Sequence, residues 1–483
     1  MNPLKKLASE TVIYGIPTIV SRFLNWLLVP FYTIVFANNE YGAVVNLMAY
    51  NAIFMVILTY GMETGFFRFA AKEKKATVFS TVLSSLITTS VMFVGLVYLF
   101  LDNIHAFLDI SANKDFIMIM AITISIDAIS SIPFAKLRLD GKAIKFGLLR
   151  SLNILINIVC NLSFLLLFPY LEKSYGIDIP FYDFSYGIGY IFISYLIASF
   201  STFILLLPEF FKEKYDFSFE LYKRIIKYSF PILIVGLAGM VNINLDKILL
   251  PKLLASDEAM ALTGIYGANY KLALVMFIFV QAFRFAFEPF FFAKHKGEES
   301  KNIYVGVLNL FTASGLLIFL AIMFYIDKLI FLIDPSYHSG VIILPWVLMA
   351  NLFQGIYYSL SLWYKLSDKT KYGAYMAIFG SIITIALNWI LIPRIGFMGG
   401  AYAVFICFLV MTITSYFLGQ KYFKINYNIK RIALYFASAL AIYVVSKFII
   451  LDNIWLQMAL KTPLLFVFIM LVLYKERLLM FKR

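Results

Sequence analysis

Fourteen times along its 483 residues, this chain runs for about 20 residues or more with almost no charge. That is the length a helix needs to cross the hydrocarbon of a bilayer. Hydrocarbon offers no water to unpaired backbone N–H and C=O groups, so only helices and closed barrels cross it. Barrel strands alternate apolar and polar residues, whereas these runs are continuous, so helices are the reading. With 62% hydrophobic and 14% charged residues, the chain has too little polar surface for a soluble domain. The fold class is therefore an all-α polytopic membrane protein. Its expected spans are 11–36, 41–62, 76–101, 116–135, 146–170, 187–208, 228–254, 262–287, 303–326, 340–364, 372–392, 397–420, 431–450 and 454–474.

An even number of spans puts both termini on one side, and lysine and arginine say which side. The termini and alternate loops carry 29 of the 41 basic residues, including Lys72, Lys74, Lys75, Lys136, Arg138, Lys223 and Arg224. The opposite loops and the span ends beside them carry six: Lys114, Lys173, Lys252, Lys328, Arg394 and Lys447. Both ends are thus expected in the cytoplasm. The net charge of +14 faces anionic membrane lipids and calls for no nucleic acid.

Several chemistries find no support. No GxxxxGK[ST] run is present for a nucleotide. His105, His295 and His338 are scattered, so no metal cluster is expected. Cys160 and Cys407 lie in apolar runs and read as free thiols. The first run is too long for a cleavable signal and no A-x-A site follows it. The loops, 209–227 and 288–302 among them, are too short for a catalytic domain, so no enzyme and no cofactor are expected. Coupling to H+, Na+ or the membrane potential stays open.

The chain also repeats itself. Tyr14-Gly15-Ile16-Pro17 opens span one, and Tyr228-Ser229-Phe230-Pro231 opens span seven. Tyr41-Gly42 is echoed by Tyr266-Gly267, Asn161 and Pro169 by Asn388 and Pro393, and Gly189-Tyr190 by Ala401-Tyr402. Matches in the same order suggest two related halves, as in transporters built from repeats. The expected organisation is a first six-helix bundle with linker over 1–227, a second over 228–420, and two additional helices over 421–483. A central cavity is expected between the bundles, with the halves related by an axis along the membrane normal.

Charges near the bilayer midplane cost at least roughly 2.5–3.5 kcal/mol each and must face a cavity or a partner. Arg22, Asp127 and Lys271 qualify, lying about ten residues into spans one, four and eight. They are readable as an ion pair with Asp127, or as a hydrated cavity with one cation in excess, suited to an anionic substrate. Arg150 and Arg284 lie near cytoplasmic span ends, where long side chains can snorkel. Asn242 and Asp246 share a face of span seven, which reads equally as a lumen-facing polar patch or as an interfacial one, since Asp246 and Lys247 are near enough to its outer end to reach the interface. Asn153, Asn157 and Asn161 form a stripe that either glues helices or lines a cavity. Lys461, outside the repeat, suits a prenyl-phosphate or a neighbouring helix. Pro17, Pro30, Pro133 and Pro231 are expected to kink their spans.

Ile13-Tyr14-Gly15, Arg22-Phe23-Leu24, Pro30 and Glu40-Tyr41-Gly42 together resemble the start of Wzx-type polysaccharide flippases. Gly61-Met62-Glu63-Thr64-Gly65-Phe66-Phe67-Arg68, Ile265-Tyr266-Gly267 with Lys271, and Pro393 through Ala401 are similar to later segments of that family. These flippases belong to the multidrug/oligosaccharidyl-lipid/polysaccharide exporters. The resemblance implies a bacterial inner-membrane protein that moves undecaprenyl-pyrophosphate-linked oligosaccharide to the periplasmic leaflet for O-antigen or capsule. It implies alternating access, and an association with polysaccharide polymerase and glycosyltransferases. Arg22 and Lys271 would hold the pyrophosphate with Asp127 tuning one of them, and Arg150, Arg284, Asp246, Asn242 and Asn157 would belong to the substrate path. Lipid II flippases share the fold, but their Arg-Asp pair on span one is replaced here by Asn25 and Trp26 after Arg22-Phe23-Leu24. A multidrug/cation antiporter is the third reading. It requires carboxylates in the cavity, so the sign of the cavity charge discriminates.

Overall fold

The computed structural model describes residues 23–24, 26–108, 113–212, 214–255, 257–293, 298–367, 369 and 371–480. Among them every regular element is helical. Twelve helices are long and apolar enough to cross a membrane, and one bent helix pair makes a thirteenth span. They coincide one for one with the second to fourteenth expected spans. Of the first, α1 (Leu28–Val35) is described.

In chain order the main helices that follow are α2 (Asn38–Thr59), α3 (Met62–Ala70), α4 (Lys75–Leu99), α5 (Lys114–Leu139), α6 (Ala143–Leu162) and α7 (Gly189–Phe210). Then come α8 (Phe219–Leu253), α9 (Ala259–Leu272), α10 (Leu274–Ala293), α11 (Glu298–Phe324), α12 (Leu344–Leu360), α13 (Lys371–Ile395) and α14 (Phe397–Tyr422). The last two are α15 (Ile429–Lys447) and α16 (Ile454–Met480). Helix α5 packs on α2, α4 and α7, and α6 packs on α7. Helix α8 packs on α9, α13 and α14, and α12 on α10, α11 and α14. Helices α15 and α16 lean on α11.

One expectation needs correction. The loop read as 209–227 is mostly helix, because α7 continues to Phe210 and α8 starts at Phe219 with Ser218 accepting the Leu221 N–H as its cap. Of the prolines expected to kink their spans, Pro17 lies outside the described residues. Helices run on through Pro133 and Pro231. The bend, 47°, falls at Ala273 in span eight, where there is no proline.

Helix α2 joins the two sets of helices, lying along α9 and α8. Small residues let it approach. A Cβ on Gly42 would lie 1.9 Å from the Met260 carbonyl oxygen, and one on Gly264 would lie 2.1 Å from the Asn38 carbonyl oxygen. Farther along, Gly267 meets Val45. Contacts that advance together along both helices make α2 and α9 parallel. Parallel pairing is the sense required if they are equivalents related by an axis along the membrane normal. Beside this seam, Tyr337 Oη donates to the Phe36 carbonyl at 2.9 Å, and Asn38 exchanges hydrogen bonds with Ser336 at 3.1 and 2.9 Å.

Gly264→Ala is expected to destabilise the protein by about 1–3 kcal/mol, because the added carbon meets backbone rather than a movable side chain. A thermal unfolding midpoint equal to that of the wild type in detergent would contradict this.

Candidate functional site: a cationic cavity between the helix sets

Below the glycine seam lies a cavity of about 420 Å³. One wall comes from Trp26 and from α1, α2 and α7, the other from α8, α9, α10, α12 and α14. Its polar lining consists of Lys247 and Lys271, the tyrosines Tyr32, Tyr41, Tyr195 and Tyr270, and a few amides including Asn244, Asn351 and Gln354. Among the described residues that line it there is no carboxylate.

Lys271 sits two residues before the Ala273 bend. At a helix break, carbonyls lose their partner four residues on, and these orphans need another donor. The Lys271 carbonyl finds one in the Trp26 indole N–H, at 2.8 Å. This bond ties the first span to the eighth and sets the lysine at the cavity wall. Among the described residues the Lys271 ammonium has no hydrogen bond, ion pair or aromatic face, and its side chain is open to the cavity. A positive group so placed offers three donors to an incoming anion.

Lys247 is arranged differently. Its ammonium lies 3.0 and 3.2 Å from the two oxygens of Asp246, donates to the Ile243 carbonyl at 2.9 Å, and sits 3.8 Å over the Tyr270 ring. Asp246 is fully buried and also accepts from Tyr266 Oη. Asn46 on α2 reaches the Lys247 carbonyl at 2.8 Å. Of the two readings of this end of span seven, a lumen-facing polar patch and an interfacial one, the burial of Asp246 and Lys247 goes against the interfacial one. They lie near one end of α8 in sequence, yet α2, α9 and α14 cover that end. Lys247 was not among the residues expected at the site. Its only sequence signal was the pairing of an acid and a base beside a tyrosine pair, Tyr266 and Tyr270, one turn apart.

Of the other expected residues, those that are described do not line this cavity. Arg22 falls outside the described residues. Asp127 lies in α5 beside Ser199 of α7, with Arg150 as the charge it senses, so it does not reach Lys271. The Arg150 guanidinium covers the Phe134 ring at 4.2 Å, and Arg284 lies 5.1 Å from the Tyr358 ring. Asn242 accepts from Thr384 Oγ1 at 3.3 Å, tying α8 to α13. In the asparagine stripe, Asn153 donates to Thr202 at 3.0 Å, and Asn161 accepts from Tyr32 Oη at 2.8 Å and donates to the Asn157 side chain at 3.1 Å. These bonds join α6 to α7 and α1, which is the helix-gluing alternative.

Lys461 also resolves toward a neighbouring helix. It lies 3.6 Å from Asp327, which accepts from Gln457 at 2.6 Å, and Tyr325 bonds Thr462 at 2.8 Å. Together these pin α16 beside the end of α11. Asp327 is partly exposed, so the pair is worth about 1 kcal/mol or less. Lys461→Met is expected to lower stability by no more than that and to leave transport intact. Loss of transport at normal abundance would return Lys461 to the substrate path.

Residues 7–293 match the family model described as polysaccharide biosynthesis protein, well over half of the 483 residues. The chain belongs to this family. No curated protein matches it in sequence. In fold it is similar to the lipid II flippase MurJ in an inward closed conformation, with TM-score 0.75 at 17% identity over 96% of this chain and 99% of that one. An inward-facing multidrug resistance MATE transporter of the MOP superfamily matches with TM-score 0.65 at 13% identity, over 85% and 97% of the two chains. A MOP superfamily transporter from Pyrococcus furiosus, described as having a binding pocket of reverse polarity, matches with TM-score 0.58 at 12% identity over 87% and 98%. The family member described here thus has the MOP fold and is a multi-pass membrane protein.

Proposed function

We propose that this protein is a flippase that carries polyprenyl-pyrophosphate-linked oligosaccharide from the cytoplasmic to the outer leaflet of a bacterial inner membrane, for surface polysaccharide such as O-antigen or capsule. The observation that carries this reading is the Lys271 ammonium, without a partner among the described residues, in a cavity between the helix sets with no carboxylate on the described wall. A pyrophosphate cannot enter hydrocarbon unaided, because stripping its water costs far more than the membrane returns. An ammonium and the hydroxyls of Tyr41, Tyr195 and Tyr270 replace that water with charge-assisted hydrogen bonds. The polyprenyl chain meanwhile stays in lipid. In this reading Arg22, four positions before Trp26 in sequence, joins Lys271 on the pyrophosphate, and opening of the α2–α9 seam releases the cargo outward.

Lipid II is the second reading. It carries the same polyprenyl-pyrophosphate group, and the likeness to MurJ over 96% of the chain favours it. A cation antiporter is disfavoured by the sign of the cavity. Complementation separates these readings. Restored surface glycan in a strain lacking its polysaccharide flippase supports the first. Rescue of a lipid II flippase depletion supports the second. Failure of both, with drug efflux gained, overturns the flippase reading.

A further inference from the structure

A second cavity, of about 350 Å³, lies outside the central one and shares no lining residue with it. It falls within the roughly 300–1,000 Å³ range of small-molecule pockets. Its walls are Ser84, Ser85, Thr88 and Thr89 of α4, with Tyr215, Phe217, Phe219 and Tyr222 opposite. Half of these side chains are small alcohols and half are aromatic rings. Among the described residues lining it there is no lysine, arginine or carboxylate, and no aliphatic side chain.

The aromatic wall is held in place. Thr77 Oγ1 donates to Asp216, and the Ser218 N–H donates to Thr81 Oγ1 at 3.1 Å, so the connection between α7 and α8 is laced onto α4. The Phe219 and Tyr222 rings lie nearly parallel, at 24°. Thr88 and Thr89 spend their hydrogens on the carbonyls of Ser84 and Ser85, at 2.9 and 3.0 Å, which leaves oxygen lone pairs available as acceptors. Ser84 donates to Tyr215 Oη at 3.1 Å, so the phenol keeps its own hydrogen to give. Tyr215 is 73% exposed, so the groove opens to the surface. Ile87 and Val91, exposed on the same helix, border it with apolar surface suited to lipid.

We propose that this groove binds a neutral sugar unit of a membrane-anchored glycan. Acceptors on one wall and a donor on the other match the hydroxyls of a sugar. Flat rings match the apolar C–H face that a pyranose presents between them. The lack of ammonium and guanidinium groups makes it a poor phosphate site, and the lack of carboxylates a poor site for cationic drugs. The alcohols lie about two to four turns from the Lys74–Lys75 end of α4, which the charge bias assigns to the cytoplasm. The sugar would therefore be met in the cytoplasmic-side half of the span, between the inner-leaflet headgroups and the midplane, with its lipid chain beside Ile87 and Val91. The inference goes beyond the transport reading and does not depend on it.

The test uses the full-length protein in phospholipid nanodiscs with Cys160→Ala, so that a cysteine placed in the groove by Thr88→Cys, or separately by Ser84→Cys, reports maleimide labelling. Dodecyl maltoside is the probe, and a polyoxyethylene dodecyl ether of equal chain length is the sugar-free control. The expected result is at least threefold slower labelling with the maltoside and no slowing with the ether. Adding Tyr215→Ala or Phe219→Ala should abolish the protection. Equal protection by both amphiphiles, protection that survives both aromatic deletions, or a cysteine that never reacts at either position would overturn the proposal. None of these readouts involves Lys271 or transport, so a failure here leaves the flippase reading standing, and the reverse also holds.

Discussion

Lys271→Ala is expected to abolish transport of pyrophosphate-linked cargo while protein abundance stays normal. The second half of that expectation follows from the first. Lys271 has no ion-pair partner among the described residues, so its removal strands no opposite charge there. Its contact with Trp26 runs through the main-chain carbonyl and survives the substitution. What is lost is the positive charge at the cavity wall. A hydrogen bond to a charged group contributes about 1.5–3 kcal/mol, which corresponds to about 10- to 150-fold in cargo affinity for each bond lost. Lys271→Arg keeps the charge and should keep part of the activity. Quantitative blotting beside surface-glycan staining checks both halves of the expectation. A collapse in abundance would mean that the lysine serves folding instead.

Asp246→Ala should do the opposite, destabilising the protein by about 3–5 kcal/mol, because it leaves the Lys247 ammonium uncompensated in a buried setting. Asp246 is fully buried and takes both Lys247 and Tyr266, so two partners lose their acceptor together. Replacing both ions, Asp246→Ala with Lys247→Met, should recover most of the loss, since the stranded charge is then gone. Thermal unfolding in detergent measures the series. A single Asp246→Ala variant as stable as the wild type would show that the pair contributes nothing to the seam.

The contrast between these two lysines explains how far the sequence could be read. Helix positions were legible because each span is a long apolar run, and hydrocarbon permits few alternatives to a helix. The Tyr41-Gly42 and Tyr266-Gly267 echo was legible too, and both glycines prove to lie in the α2–α9 seam. Depth along a span picked out Lys271, which lines the cavity. The same rule left Lys247 undecided between a lumen-facing patch and the interface, because burial near a helix end comes from neighbouring helices and not from distance to the midplane. It also proposed Asp127 as a partner for the cavity cations, whereas α5 and α7 enclose it beside Ser199. Which helix face meets which neighbour is a property of packing, and a single sequence holds little of it. The bend at Ala273 was invisible for a related reason. No proline or glycine marks it, and the Trp26 bond that satisfies the freed carbonyl comes from 245 residues away.

The central claim is that a cationic cavity between the helix sets holds the pyrophosphate during passage. It is tested most directly in proteoliposomes carrying a polyprenyl-pyrophosphate-linked glycan, with glycan exposure to an impermeant lectin followed over time. The wild type should expose inner-leaflet glycan well above the protein-free rate, Lys271→Arg should do so more slowly, and Lys271→Ala should not exceed the protein-free rate. Transfer by Lys271→Ala at the wild-type rate would contradict the account.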